Sequence, residues 1–263
     1  TFNNCFHGVN LCWYNNASAP VCTIENAVFT SNNLLYPFIN VAAAPRTEAG
    51  VYLANYRNLE IATGNTFAGL KYGVRAEEAN SILIRQNSFN NCSVGVSAAS
   101  FALNPLASFY KTIENNFNGC RTAMQFSGTS MHIGNNNINT LSPADNSSIG
   151  IFVRGCHFDI QPQNTFNNCY FGCILMNNGL DPSTIKNNDF NNNVIGVWAF
   201  GNNGFPFAGG VQITCNRFDN GAIAIAVQDY IVGGVLLTTG SLDNQGNCGP
   251  FNQNPADNVF NQT

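Results

Sequence analysis

One strand-to-turn step in the second half of the chain carries three ionisable residue types within six residues. They are Arg154, His157 and Asp159, and side chains of these types can make a general acid–base site. Alternate residues of a β-strand face opposite sides, so His157 and Asp159 are predicted to share a face that Arg154 does not. These residues are the catalytic candidates of the sequence, and the separation of Arg154 argues against a catalytic site.

The spacing of the other candidate ligands predicts no metal or cofactor site. The sequence contains no Cys-x-x-Cys, and Cys169 and Cys173 have no histidine at the spacing of a structural zinc site. His7 and His132 are predicted to stand alone. Neither a phosphate-binding loop nor a nucleophile elbow occurs, so we expect no cofactor.

The composition excludes several classes of protein. Charged residues make up only 9% of the 263 residues and hydrophobic residues 44%, whereas about 25% charged is usual. The net charge of −4 does not supply the basic stripe that nucleic acid demands. No apolar stretch reaches the roughly 20 residues of a membrane span. The 45 Asn and 24 Gly tolerate left-handed backbone and predict many tight turns.

An aromatic or aliphatic anchor recurs along the whole chain in the pattern Ile-x-x-Asn-x-Phe. The anchors are Phe2, Phe29, Phe67, Phe89, Phe117, Ile138, Phe166, Phe190, Phe218 and Phe260. The shortest spacing is the 21 residues from Phe117 to Ile138, and we expect the longer spacings to contain loop insertions. An asparagine stands two residues before most anchors, from Asn65 to Asn258, and a small residue such as Gly95 stands six after.

This periodicity predicts an all-β fold, a single-stranded right-handed parallel β-helix of about ten coils. Each strand would pair with its equivalent one coil away, about 4.8 Å along the axis, so phenylalanines would stack inside and asparagines would form a ladder in a turn. A β-sandwich would not keep Asn-x-Phe at one offset in every unit, and a leucine-rich repeat would show regular leucines. We expect one domain over 1–263, a fragment of a longer chain because both ends fall in mid-repeat, with an irregular insertion or cap-like segment at 238–257.

The densest charged cluster is predicted to be a set of surface ion pairs. It comprises Lys71, Arg75, Glu77, Glu78 and Arg85. A hydrolase needs paired carboxylates, and a lyase needs a base with a cation for the carbanion-like intermediate. The predicted stacked neighbours of Arg75 in the following coils, Ser97 and Gln125, are uncharged. The cluster is therefore expected to pair within its own coil.

Four of the ten cysteines share one register, three residues after an anchor. They are Cys5, Cys92, Cys120 and Cys169. Because free cysteine is among the most buried residue types, we predict buried thiols, with disulfides as the alternative. Among the cysteines outside this register, a pair that bridges loops could come from Cys12, Cys22, Cys156, Cys215 and Cys248.

A row of residues eight positions after the anchors is predicted to point outward. The row is Asn10, Arg75, Ser97, Gln125, Ile174, Trp198 and Ala226. It turns apolar towards its C-terminal half, where Trp198, Ile174 and Phe200 would cluster. Exposed aromatic residues on such a face can stack on sugar rings or pack against another protein, so these three are the predicted binding residues. The alternative is that a loop such as 205–207 covers them.

Two repeat units carry a family resemblance. The stretches Asn87–Val96 (NSFNNCSVGV) and Asn164–Cys173 (NTFNNCYFGC) resemble right-handed β-helix repeats of large secreted proteins from Bacteroidota, and Asp243–Asn261 looks like a stretch found in those proteins. The resemblance implies export to the cell surface or medium, by the type IX route, as part of a longer polypeptide. The β-helix lyases and pectinases share the fold, but their catalytic sets have no matching residues here.

The sequence therefore favours a non-catalytic extracellular or cell-surface module, such as a stalk, an adhesin segment or a subunit of a surface assembly. Its expected partners are glycans or other copies and domains of the same assembly, and not nucleic acid. The alternative is a carbohydrate-active enzyme of the lyase or hydrolase kind, or a glycan-binding domain, that uses the Trp198 face. A groove with converging carboxylates or cations would favour that alternative.

Overall fold

Three long parallel sheets make up most of the described structure. The computed structural model describes residues 1–12, 22–31, 49–100, 108–141, 144, 146–178, 182–204, 210–232, 235–238, 241–242 and 258–261. Those residues form strands and turns, and they include no helix with the length and hydropathy needed to cross a membrane. The ten-stranded sheet contains Phe2–Asn3, Val28–Thr30, Thr66–Ala68, Ser88–Asn90, Asn116–Cys120, Asn137–Thr140, Thr165–Asn167, Asp189–Asn191, Arg217–Asp219 and Val259–Asn261.

The other two long sheets follow the same coil order. The nine-stranded sheet contains His7–Cys12, Ala49–Ala54, Tyr72–Glu77, Val94–Ala99, Thr122–Ser127, Ile149–Arg154, Phe171–Met176, Ile195–Phe200 and Ile223–Gln228. The eight-stranded sheet contains Cys22–Ile24, Arg57–Ile61, Asn80–Arg85, Phe109–Ile113, Ser130–Gly134, His157–Ile160, Ser183–Lys186 and Val211–Thr214. Since each coil contributes in turn to the three sheets, the chain is a parallel β-helix, as predicted.

The anchors stack in one column, which is buried along most of its length, whereas the last anchor, Phe260, is 56% exposed. Phe89 lies opposite Phe67 on one side and Phe117 on the other, with ring centroids 4.8 and 4.7 Å apart. All ten predicted anchors lie in the ten-stranded sheet in the predicted order. Each ring thus takes the inter-strand spacing of its backbone, which confirms the predicted column and the number of coils.

The predicted asparagine ladder is continuous from Asn65 to Asn258. Asn115 shows its geometry: Nδ2 donates to the Asn136 Oδ1 at 3.1 Å and to the Ile84 carbonyl at 3.0 Å, and Oδ1 accepts from the Asn87 backbone N–H at 3.0 Å. The side chain therefore satisfies backbone groups at a buried corner that would otherwise lack partners.

Other asparagines occupy the tight turns. Asn55, Asn91, Asn135 and Asn168 have φ between 51° and 56°, in the left-handed region that asparagine tolerates better than most residues. The prediction of many turns with left-handed backbone is confirmed, and it explains why one residue type supplies both the ladder and the turns.

The core lies between the three sheets, each of which contributes fully buried side chains such as Phe117, Met124 and Ile133. Two short sheets lie outside this plan. Asn202–Asn203 pairs with Ser241–Leu242 in parallel, and Tyr230–Val232 pairs with Val235–Thr238 antiparallel. Most of the predicted irregular segment 238–257 lies outside the described residues.

The predicted burial of the four cysteines that share one register is confirmed in three coils and wrong in one. Cys92, Cys120 and Cys169 are buried free thiols, and burial raises the pKa of Cys169 to about 12. Cys5, predicted to be buried, is exposed, because among the described residues no coil stacks on the outer side of the first one. Cys215, one of the residues outside the register, is disulfide-bonded, and its partner lies outside the described residues.

Candidate functional site

The structure separates the three catalytic candidates of the sequence. Arg154 ends a strand of the nine-stranded sheet and is exposed, whereas His157 and Asp159 belong to the next strand, in the eight-stranded sheet. Arg154 is thus separated from His157 and Asp159 by lying on a different sheet, and not by the alternation along one strand from which the separation was predicted. His157 lies beside Ser130 in the preceding coil, and its buried Nδ1 has no hydrogen-bond partner among the described residues.

Asp159 pairs with a histidine that the sequence did not indicate. Its Oδ2 lies 3.0 Å from His132 Nδ1, and its Oδ1 accepts a hydrogen bond from the Thr184 hydroxyl at 2.5 Å. Partial burial alone would raise the pKa of Asp159, but these hydrogen bonds outweigh burial and hold the pKa below its usual value. The expectation that His132 stands alone is wrong, because its partner comes from the next coil.

Only some ion pairs of the charged cluster around Arg75 form within one coil. Arg75 Nε donates to Glu77 Oε1 at 3.0 Å on the same strand, as predicted. Arg85, however, donates to Glu60 Oε1 at 2.6 Å, and Glu60 belongs to the preceding coil. The prediction that the cluster pairs within its own coil is thus wrong for Arg85, since the diagonal neighbour across two parallel strands is within reach of a long side chain.

Polar aromatic residues lie in and beside the first coils of the outward row of the nine-stranded sheet. The Tyr52 ring stacks on His7 at 4.6 Å, and the Arg75 guanidinium lies 5.8 Å from the Tyr52 ring centroid and 5.2 Å from that of Tyr72. Burial and the positive charge of Arg75 lower the pKa of His7. The expectation that His7 stands alone is also wrong. Tyr52 belongs to the row that contains Arg75.

The same row ends in the predicted aromatic cluster. Trp198 lies beside Ile174 in register, stacks on Phe171 at 4.6 Å and meets Phe200 at 4.0 Å between ring centroids. Phe152 precedes Ile174 in the row. The structure therefore brings Trp198, Phe200 and Ile174 together, with Ile174 only 7% exposed. Sequence reasoning missed Phe171 and Phe152 as members. The segment 205–207, predicted as a possible cover, lies outside the described residues.

The connections between strands differ among the three corners of the coil. At the corner with the asparagine ladder, between the eight-stranded and ten-stranded sheets, each connection has at most four residues. Longer segments, such as 13–21, 32–48 and 101–107, join the nine-stranded sheet to its neighbours. Because loops carry function more often than the scaffold does, the outward face of the nine-stranded sheet, here called the loop-bordered face, is the candidate functional surface.

Residues 3–221 match a protein family described as periplasmic copper-binding protein (NosD). This chain belongs to the NosD family. The match extends over most of the described coils, and NosD proteins are a parallel β-helix family, in agreement with the three-sheet architecture. No curated protein matches the chain.

The described residues offer few ligands for the copper that the NosD description names. Copper sites in proteins use thiolate, thioether or imidazole ligands. In the described part of this NosD chain, no three His, Cys, Asp or Glu side chains are grouped to hold a metal ion. Burial also raises the pKa of Cys120 and Cys173 well above the usual value, which disfavours the thiolate form that binds metals. The described residues do not fit a copper site.

Proposed function

We propose that this NosD-family chain is a non-catalytic extracellular module, with a structural or adhesive role in a cell-surface or secreted assembly. The observation that carries the proposal is the cluster of Trp198, Phe171 and Phe200 on the loop-bordered face. Trp198 and Phe200 are half-buried, Trp198 stacks on the buried Phe171, and partly exposed aromatic groups that a rigid sheet holds in fixed positions are typical of partner binding.

The ionisable groups support a non-catalytic role. Asp159 is held by Thr184 and His132 and does not face a second carboxylate among the described residues, whereas most glycoside hydrolases use two. Arg154 lies in a different sheet from Asp159. The described residues thus place one carboxylate beside one imidazole, without the second carboxylate of most glycoside hydrolases and without Arg154 on the same sheet.

Two observations support a location outside the cytoplasm. The NosD family carries the description periplasmic, and Cys215 is disulfide-bonded, which is typical of oxidising compartments. Location at the cell surface or in the medium is the further part of the proposal. Digestion of intact cells with an added protease should degrade this chain, whereas protection in intact cells and digestion only after outer-membrane permeabilisation would place it in the periplasm.

A depolymerisation screen tests the non-catalytic role. The full chain is incubated with neutral and acidic polysaccharides, and new reducing ends and unsaturated products are measured. We expect no turnover above the buffer control. Turnover that is lost on Asp159→Asn or Arg154→Ala, and retained in the matched control Asp189→Asn on the ten-stranded sheet, would overturn the proposal.

The second candidate is a glycan-binding domain, which the aromatic residues beside Trp198 also favour. Glycan-array binding of the wild type is compared with Trp198→Ala and with Phe109→Ala, a control in which an aromatic residue that is 43% exposed on another sheet is removed. Loss of array signals in Trp198→Ala alone would favour the glycan-binding role. Equal signals in all three proteins would remove Trp198 from any such role.

A further inference from the structure

The outward side of the ten-stranded sheet carries two rows of short side chains, one on each side of the buried anchors. The row before the anchors contains Thr66, Ser88, Asn116, Asn137 and Thr165, and the row after them contains Ala68, Asn90, Asn118, Asn139 and Asn167. All ten are half-buried or exposed, and none of these ten is charged. The two rows, here called the amide face, thus present neutral amide and hydroxyl groups over five successive coils, with one methyl group among them.

The amide face is close to planar. Successive anchor rings differ in orientation by only 7° between Phe67 and Phe89 and by 8° between Phe89 and Phe117, whereas neighbouring strands of an ordinary sheet are rotated by about 20–25°. The same ring centroids are 4.8 and 4.7 Å apart along the axis. Across each strand the two rows are about 6.6 Å apart, since each residue of a parallel strand rises by about 3.3 Å. The polar groups therefore form a flat grid that is regular in two directions.

Hydrogen bonds between coils hold amides of the grid in one orientation. Asn137 Nδ2 donates to Asn116 Oδ1 at 3.1 Å, and Asn137 Oδ1 accepts from Asn167 Nδ2 at 3.2 Å. Asn139 Nδ2 donates to Asn118 Oδ1 at 3.4 Å in the same direction. A primary amide has two N–H groups and two acceptor lone pairs, so Asn137 keeps one N–H and one lone pair for an external partner. The grid is thus ordered before any partner binds, which lowers the entropic cost of binding.

We propose that the amide face binds ice. A partner that matches a regular grid must present the same hydrogen-bonding group at each grid point. Ordered water does so, because each molecule in ice both donates and accepts, as the amide and hydroxyl groups of the face also do. Equivalent oxygen atoms of ice repeat along one lattice direction at a spacing close to that of the coils, whereas a glycan chain presents its hydroxyl groups at unequal spacings.

This activity goes beyond the proposed structural or adhesive role, and it uses a different sheet from that of Trp198. The absence of charge from the ten residues of the amide face supports it, because an ionic group holds its own hydration shell in place of lattice water. The two activities can therefore be tested separately.

Thermal hysteresis, the gap between the melting and freezing temperatures of a single ice crystal, tests the inference on the full chain. Incorporation of the protein into a slowly grown ice hemisphere is the second readout. We expect hysteresis and enrichment in the ice fraction for the wild type. Asn137→Tyr should abolish both, because the ring would project above the plane of the grid. Gln125→Tyr, at an exposed position of the nine-stranded sheet, is the matched control and should behave as the wild type does.

A second pair of variants separates charge from size. Asn137→Asp keeps the size of the side chain and adds a charge, so it should reduce the hysteresis, whereas Gln125→Glu should not. The melting temperature of each variant shows whether it is folded. Neither hysteresis nor incorporation of the folded wild type, or equal losses in the Asn137 and Gln125 variants, would overturn the inference.

Two further outcomes would also contradict ice binding by this face. One is binding to powdered cellulose or chitin, in place of ice, that Asn137→Tyr abolishes, since it would assign the face to a polysaccharide. The other is ice binding that Trp198→Ala abolishes and Asn137→Tyr retains, since it would assign the activity to the loop-bordered face. We expect Trp198→Ala to retain wild-type hysteresis whatever its effect on glycan binding.

Discussion

Gly95 leaves room for the aromatic ring of Phe117 in the next coil: a Cβ atom at residue 95 would lie 2.7 Å from Phe117 Cδ1 and 2.6 Å from the carbonyl oxygen of Ala123. The same relationship joins Gly73 to Phe89. In the next coil, Ala123 occupies the position of Gly95, and the anchor of the coil after it is Ile138 in place of phenylalanine. From Gly8 to Gly196 the size of one column is thus matched to the size of the other; the exception is the last coil, where Ala224 precedes Phe260.

The first prediction concerns this match. Gly95→Ala should lower the free energy of unfolding by about 1–3 kcal/mol, because overpacking forces side chains or backbone to shift. Phe117→Ile in the Gly95→Ala background should be less harmful than in the wild type. Guanidinium unfolding of the four proteins gives the coupling free energy, and strict additivity of the two changes would contradict the proposed match.

The second prediction concerns the asparagine ladder. Asn115→Ala should destabilise the protein by about 3 kcal/mol, because it leaves buried backbone groups such as the Ile84 carbonyl and the Asn87 N–H without their partner. Asn118→Ala, three residues later on an exposed position, should change stability by less than about 0.5 kcal/mol. Equal losses in denaturant unfolding would show that the ladder is not the source of the difference.

The third prediction concerns thiol reactivity. In the folded protein an alkylating reagent should modify Cys5 rapidly, since it is exposed, and Cys120 and Cys173 very slowly, since they are fully buried and their raised pKa values leave little thiolate. Peptide mapping by mass spectrometry after timed labelling measures each rate. Unfolding in guanidinium before labelling is the control and should make the three rates similar.

The fourth prediction concerns acid stability. The pKa of Asp159 is lower in the folded protein than its usual value, so its ionised form favours folding at pH values above the unfolded pKa of about 3.9. That contribution is lost as the pH falls through the lowered pKa. Asp159→Asn should therefore lower the melting temperature at neutral pH, and the difference from wild type should shrink in acid.

Two further variants sharpen the acid experiment. Thr184→Val removes the hydrogen bond to Asp159 Oδ1 and should reduce the pH-dependent difference in part. Gln212→Ala changes the next residue of the same row and should leave it unchanged. A melting-temperature difference between wild type and Asp159→Asn that stays constant from neutral to strongly acidic pH would contradict the assignment.

The scaffold was predictable because its signal is periodic. Phe89 and Phe117, and likewise Asn87 and Asn115, stand at one offset in successive units, and only stacking of equivalent positions makes such an offset useful. Tyr52 and Phe152 were missed because the inserted segments 32–48 and 141–148 separate them from their anchors. Counting a fixed number of residues from an anchor finds the wrong residue wherever the chain length between the anchor and the next strand varies.

The pairing of His132 with Asp159 was missed for a related reason. The two residues are 27 positions apart in the chain and meet only because their strands are adjacent. A signal was nevertheless present: each directly precedes an isoleucine of the same column, Ile133 and Ile160. Alignment on those isoleucines, in place of the phenylalanine anchors, would have placed the imidazole beside the carboxylate.

The short connections at the asparagine-ladder corner have a consequence for how this protein can change over generations. A residue inserted between Asn87 and Ser88, for example, would displace the ladder amide from its partners in both neighbouring coils, so the chain length between a ladder asparagine and its anchor is constrained. Segments such as 32–48 have no such constraint from the ladder. Natural variation in length, and sites that tolerate a grafted peptide or reporter, should therefore concentrate on the two edges of the loop-bordered face, whereas the described connections at the third edge stay between two and four residues.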